Sequence, residues 1–210
     1  MSLLRLSVPA RIAVGVVSSV AFASIGIEFA VRIGDSGVLP TLWELARYFT
    51  YLTSAALAVA LGTAALRGRW PGTTLPAAIS VWVAVTGIVY HVLLAQSHNP
   101  QGVQVLSNLG LHTLVPVGWI AVWITFCPKH GMSYLDPLVW TVWPLVYALY
   151  ALLRGLVVDG EFPYFFLDPS ASGISPVIAY IVCLGMFFVL SGCFLVMLTR
   201  FPNKHAVSNA

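Results

Sequence analysis

Thr50, in "ELARYFTYLTSAALAV", and His112, in "LSNLGLHTLVP", are the side chains of this sequence best suited to act together in covalent chemistry. A threonine hydroxyl is a poor nucleophile until a base takes its proton, and a histidine within hydrogen-bond reach is the usual base. Asn108 lies four residues before His112, on the same helical face, and "TGIVYHVLL" brings Thr86, Tyr90 and His91 towards them. Arg47, Thr50 and Ser54 have the i, i+3, i+7 spacing of a single stripe. Such a set suits attack on an ester carbonyl, with Thr50 as nucleophile, His112 as base, and Asn108, Tyr90 or a backbone N–H as oxyanion donor. Plainer roles stand beside these. A threonine in a membrane helix commonly returns its hydroxyl to a carbonyl one turn back. His112 can hold two helices together as a neutral side chain, and His91 can sit at an interface. Arg47 can snorkel to lipid headgroups or recognise a substrate carboxylate.

The elements that must position these groups are membrane helices. The chain is 59% hydrophobic and only 8% charged, which excludes an ordinary soluble domain, and no nucleic-acid partner is expected. Apolar segments fall at 12–31, 45–66, 75–95, 104–126, 137–158 and 174–199. Each approaches the ~20 residues that cross ~30 Å of hydrocarbon. The expected fold class is therefore all-α: a polytopic membrane protein, a compact bundle of six transmembrane helices forming a single domain over 1–210. The first segment exceeds a signal-peptide core and is expected to stay as a permanent helix.

Orientation follows from Lys and Arg, which favour cytoplasmic connections. Arg5, Arg11, Arg67, Arg69, Lys129, Arg200 and Lys204 fall at one end of the spans; Arg32, Arg47 and Arg154 fall at the other. Both termini are expected in the cytoplasm, and the small Ala/Gly/Val-rich composition is consistent with a bacterial inner membrane. Of the acidic residues, Glu28, Asp35, Glu44, Asp159, Glu161 and Asp168 lean outward, leaving Asp136 inside. On this topology Thr50 lies ~9 Å and His112 ~12 Å below the outer boundary, at 1.5 Å per residue. His91 reaches a similar level. Matched depth on three helices is the sequence's main mechanistic clue, because intramembrane ionisable groups usually face an interior or cavity.

"RGLVVDGEFPYFFLDPSASGISP" is the longest connection. Pro163 and Pro169 disfavour a regular helix there, so the segment is expected to fold back over the outer mouth, bringing Tyr164 and Asp168 above the cavity. Pro144, within the Trp-rich fifth segment, is a candidate kink. Cys127, Cys183 and Cys193 lack CxxC spacing and imply neither a disulfide framework nor a sulfur-ligated metal. No GxSxG elbow, HExxH helix or nucleotide-binding glycine loop occurs.

The segments "RYFTYLTSAAL", "GIVYHVLL", "LSNLGLHTLVP", "WPLVYALYALLRG" and "FPYFFLD", in this order over six hydrophobic spans, resemble the FAR-17a-related, androgen-induced-gene membrane family and its bacterial six-span relatives. The similarity covers about residues 10–200. Animal members are integral-membrane hydrolases of fatty acid esters of hydroxy fatty acids, using a threonine and a histidine. The resemblance thus implies Thr50 and His112 as the catalytic pair, an amphipathic fatty-acyl substrate, membrane lipids as partners, and no cofactor.

Two other functions remain open. A lipid or small-molecule transporter would need its polar path to reach both faces. A haem-binding electron carrier could take His91 and His112 as axial ligands. A purely structural or interaction protein is a further possibility.

Overall fold

The computed structural model describes residues 5–200; Lys204 and both termini lie outside the described residues, as do the side chains of Asp35, Ala171 and Ser172. Ser7 caps the first helix, α1 (Val8–Ser36), by accepting the Ala10 N–H at 3.4 Å, and Pro9 occupies its first turn. Gly37, at φ +82°, ends it, a conformation glycine adopts without steric cost. An unanticipated short helix, α2 (Val38–Leu45), follows. At about 12 Å it is too short to span, and its exposed Leu39 and Trp43 suit the edge of a bilayer.

The second span, α3, runs Phe49–Arg67 and not from residue 45. Arg47 therefore lies in the turn before the helix, which corrects the expected Arg47, Thr50, Ser54 stripe. The third span joins α4 (Thr74–Val89) to a π-helical turn at Tyr90–Leu94. The fourth joins α5 (Gln104–Leu109), a π turn at Gly110–Leu114 and α6 (Val115–Phe126). The fifth joins α7 (Asp136–Arg154) to a π turn at Gly155–Asp159. After a 3₁₀ turn at Phe165–Leu167 and the four-residue α8 (Pro169–Ser172), α9 (Ile174–Arg200) completes the six. All six are long and apolar enough to cross a membrane, and the protein is an all-α, six-helix integral membrane protein. Its outward side chains agree: Leu39, Leu66, Val157 and Leu190 are between 66% and 80% exposed, an apolar surface that lipid solvates and water would not.

Small residues set the packing around the fourth span. A Cβ on Gly110 would meet Ser24 Oγ of α1 at 1.9 Å, and one on Gly87 of α4 would meet the His112 carbonyl oxygen at 3.0 Å. Glycine at both places lets α1 and α4 close on the turn that carries His112. Pro116 follows that turn and supplies no N–H to the His112 carbonyl, a local cause for the switch from α to π geometry. Pro144 likewise frees the Trp140 carbonyl, which accepts from the Trp82 indole at 2.8 Å and so joins α7 to α4.

Candidate functional site

Thr50 is the second residue of α3 and is 8% exposed. It stands at the positive dipole end of the helix. Its Oγ1 lies 3.4 Å from His112 Nε2, and His112 Nδ1 lies 3.2 Å from the backbone carbonyl oxygen of Asn108. A carbonyl can only accept, so Nδ1 carries the ring proton and Nε2 presents its lone pair to the threonine hydroxyl. The result is a relay in which a backbone carbonyl orients the base, as a carboxylate does in a hydrolase triad. The 3.4 Å contact is long, as nucleophile–base contacts often are before substrate tightens them.

Tyr90 stacks on His112, ring centroids 3.8 Å apart and planes 18° from parallel, which fixes the imidazole plane. The Tyr90 hydroxyl is 3.3 Å from His98 Nδ1. His98, which drew no attention in sequence, thus steadies the ring that steadies the base. The Asn108 side chain does not hold His112; its Oδ1 is buried without a partner. Ser54 is buried one turn below Thr50 and takes no part in the cavity wall. His91 is exposed, with Nε2 3.1 Å from Thr113 Oγ1.

A small apolar cavity lies on the far side of Thr50. Thr50 and Tyr90 contribute to its wall, Leu145 and Phe188 give it aliphatic and aromatic sides, and Tyr164 and Phe166 close it. The connection after α7 does fold over the cavity as expected. Phe162 packs where a Cβ on Gly155 would meet its ring at 2.4 Å. The Tyr164 hydroxyl accepts the Phe49 N–H at 3.1 Å, beside Thr50. Burial pushes the Tyr164 phenol up to about 12, so it keeps its proton at neutral pH.

Two expected supporting residues do other work. Asp168 caps α8, accepting the Ser170 N–H at 2.8 Å, and the Ser170 side chain together with that N–H holds its carboxyl below its ordinary value. It does not face the cavity. Arg47 pairs with Glu161 and, at 3.1 Å, with Asp159, so its guanidinium serves the cover and is not an open carboxylate receptor. Asp159 also pairs with Arg154 at 2.8 Å. Arg154 is nearly buried, donates to the Trp43 carbonyl at 2.7 Å and stacks 3.9 Å over the Trp43 ring. Sequence position alone made Arg154 one of three basic residues at this end; its role as the clamp between α2 and the cover emerges only from the fold.

Among the described residues no group of three His, Cys, Asp or Glu side chains could hold a metal ion. The cavity wall includes no histidine, because His112 stands behind Tyr90 and His91 turns to Thr113. Comparison with family models, with curated proteins and with solved structures gave no match. Fold and site therefore define the protein by class: a six-span membrane protein with a hydroxyl–imidazole pair at the wall of an apolar cavity.

Proposed function

We propose that the chain is an intramembrane hydrolase of amphipathic lipid esters, with fatty acid esters of hydroxy fatty acids as the first candidates. The observation that carries this reading is the relay from Thr50 Oγ1 through His112 Nε2 and Nδ1 to the Asn108 carbonyl, at the edge of an apolar cavity. The acyl chain lies in the cavity and the ester carbonyl reaches Thr50. His112 takes the hydroxyl proton as Oγ1 attacks, forming a tetrahedral intermediate. That proton passes to the departing alkoxide, leaving an acyl-threonine. His112 then removes a proton from water, which attacks the acyl carbon; collapse releases the acid and returns the proton to Oγ1.

Tyr164 is the oxyanion donor in this scheme. Its oxygen already accepts from the Phe49 N–H, leaving its own proton to bond the oxyanion, while the N-terminus of α3 supplies positive potential. The family resemblance supports the same pair and the same substrate class. The end-to-end Lys/Arg asymmetry supports termini in the cytoplasm and the site outward, and the small Ala/Gly/Val-rich composition is consistent with a bacterial inner membrane.

The direct test is incubation of the detergent-purified protein with a long-chain fluorophosphonate, then peptide mass spectrometry, beside an ester-turnover assay. An adduct on Thr50 with parallel loss of turnover supports the reading. Turnover that survives stoichiometric modification of Thr50, or turnover lost through an adduct elsewhere with Thr50 free, refutes it.

A further inference from the structure

At the opposite end of the bundle from Thr50, an isolated antiparallel bridge pairs Arg5 with Arg69, and the Leu6 N–H donates to the Gly68 carbonyl at 2.9 Å. This bridge straps the start of the chain to the connection after α3. Residues opposed across such a bridge bring their side chains to the same side, where like charges are destabilising. Arg11 and Arg67 sit beside them. The arrangement of these two is explained by the helix: Arg11 donates to the Leu66 carbonyl at 3.1 Å, and Arg67 occupies the last turn of α3, where a cation meets the negative dipole end. Nothing of that kind explains Arg5 and Arg69. Among the described residues neither has a carboxylate partner, and the one acidic residue at this end, Asp136, accepts the Ser133 N–H at 2.7 Å.

Arg67 and Arg69 border an open groove floored by Ala60 and Ala64 and flanked by Trp70. Ala60, Thr63, Ala64 and Arg67 follow i, i+3, i+4, i+7 spacing, so the groove descends along one face of α3 from arginines into apolar depth. That is the polarity of a lipid: anion at the top, chain below.

We infer that this groove is a binding site for an anionic phospholipid, its phosphate held by Arg5, Arg67 and Arg69 and one acyl chain lying over Ala60 and Ala64. The phosphate supplies the counter-charge missing between Arg5 and Arg69, and its oxygens suit guanidinium forks. A purely topological role for these arginines acts during insertion and calls for no saturable lipid binding afterwards. The inference is independent of the hydrolase reading, since the groove lies at the other end of the bundle.

Native mass spectrometry of the full chain, titrated with phosphatidylglycerol or phosphatidylcholine, tests it. Wild-type protein should show one saturable phosphatidylglycerol site. Arg5→Gln with Arg69→Gln should weaken it about 30-fold, equivalent to about 2 kcal/mol for two basic groups at a membrane surface. Arg69→Glu supplies a check that does not depend on loss: it pairs Arg5 directly, so in phosphatidylcholine nanodiscs it should raise the melting temperature and abolish the further rise that phosphatidylglycerol gives wild type. Equal retention of both lipids, or undiminished phosphatidylglycerol binding in the double variant, overturns the site. Displacement of bound lipid by inorganic phosphate would assign it to a free anion and overturn the lipid identity.

Discussion

Thr50 Oγ1 and His112 Nε2, separated by 62 positions in sequence, stand 3.4 Å apart at the second residue of one helix and in a π-helical turn of another. The π turn advances fewer degrees per residue than an α-helix and so re-aims His112 relative to α6. If the pair performs proton transfer to a nucleophile, Thr50→Val and His112→Ala should each lower ester turnover by about 10²–10⁴, the range for a positioned acid–base group. Because the two act as one unit, the double variant should be little worse than either alone. Additive losses would show that the residues act separately. Unfolding monitored by intrinsic fluorescence distinguishes a lost base from the small void that His112→Ala leaves.

Tyr164 links the cover to the chemistry. Its ring stacks on Phe166, centroids 5.0 Å apart, while its oxygen accepts from Phe49 N–H. Tyr164→Phe keeps the stack and removes the proton donor. The expected result is a kcat lower by about 10²–10³, the cost of one oxyanion donor, with KM nearly unchanged. Since burial raises the phenol to about 12, it remains a donor below that pH and is lost only as pH rises through it. A Tyr164→Phe enzyme with wild-type kcat removes Tyr164 from the mechanism.

The six spans were legible because lipid exposure writes itself as length and apolar content, and the Thr50–His112 pairing was legible because matched depth constrains position along the membrane normal. Rotation about each helix was not. Arg47 shares a stripe with Thr50 only in a helix that begins before it; α3 begins at Phe49, and Arg47 turns to Asp159 and Glu161. Asp168 precedes Pro169 and a serine, a capping pattern that outweighed its nearness to the cover. The π turns were hidden because they depend on tertiary closeness at Gly87 and Gly110, although Pro116 was a visible local cue. Tyr164 was read as a covering aromatic, and its bond to a helix N-terminus could not be read from spacing.

The two arginines that meet Asp159 should behave differently. The Arg154 side chain is 2% exposed and that of Arg47 is 15% exposed, with its second partner, Glu161, 66% exposed. Removing one partner of a buried pair costs about 3–5 kcal/mol, whereas a contact open to solvent is worth about 0–1 kcal/mol. Arg154→Met should therefore lower the unfolding temperature markedly and release the cover, while Arg47→Gln should have a small effect on stability. If Arg47 instead reads a substrate carboxylate, Arg47→Gln should raise KM for acidic esters and spare neutral ones. Steady-state kinetics on the two ester classes separates cover fastening from recognition.

The closest steric fit around the site yields a prediction with its own rescue. Gly110→Ala places a methyl group 1.9 Å from Ser24 Oγ and 3.0 Å from Ser24 Cβ, well inside van der Waals contact. Ser24 is 4% exposed and sits on α1, so it cannot simply swing into open space. The π turn must shift away from α1, carrying His112 with it. Overpacking of this kind costs about 1–3 kcal/mol, and a displacement of even ~1 Å at a catalytic base can cost ~10²-fold in rate. Gly110→Ala should therefore lose both thermal stability and turnover, with turnover hit harder than the fraction folded accounts for. Ser24→Gly removes both clashing atoms and should restore much of each in the double variant, whereas Ser24→Ala removes only the hydroxyl and should restore less. Measured as a double-mutant cycle, the coupling between positions 24 and 110 should favour the paired change. Independent losses at the two positions would mean that α1 does not hold the His112 turn, and the base would owe its placement to Tyr90 and the Asn108 carbonyl alone.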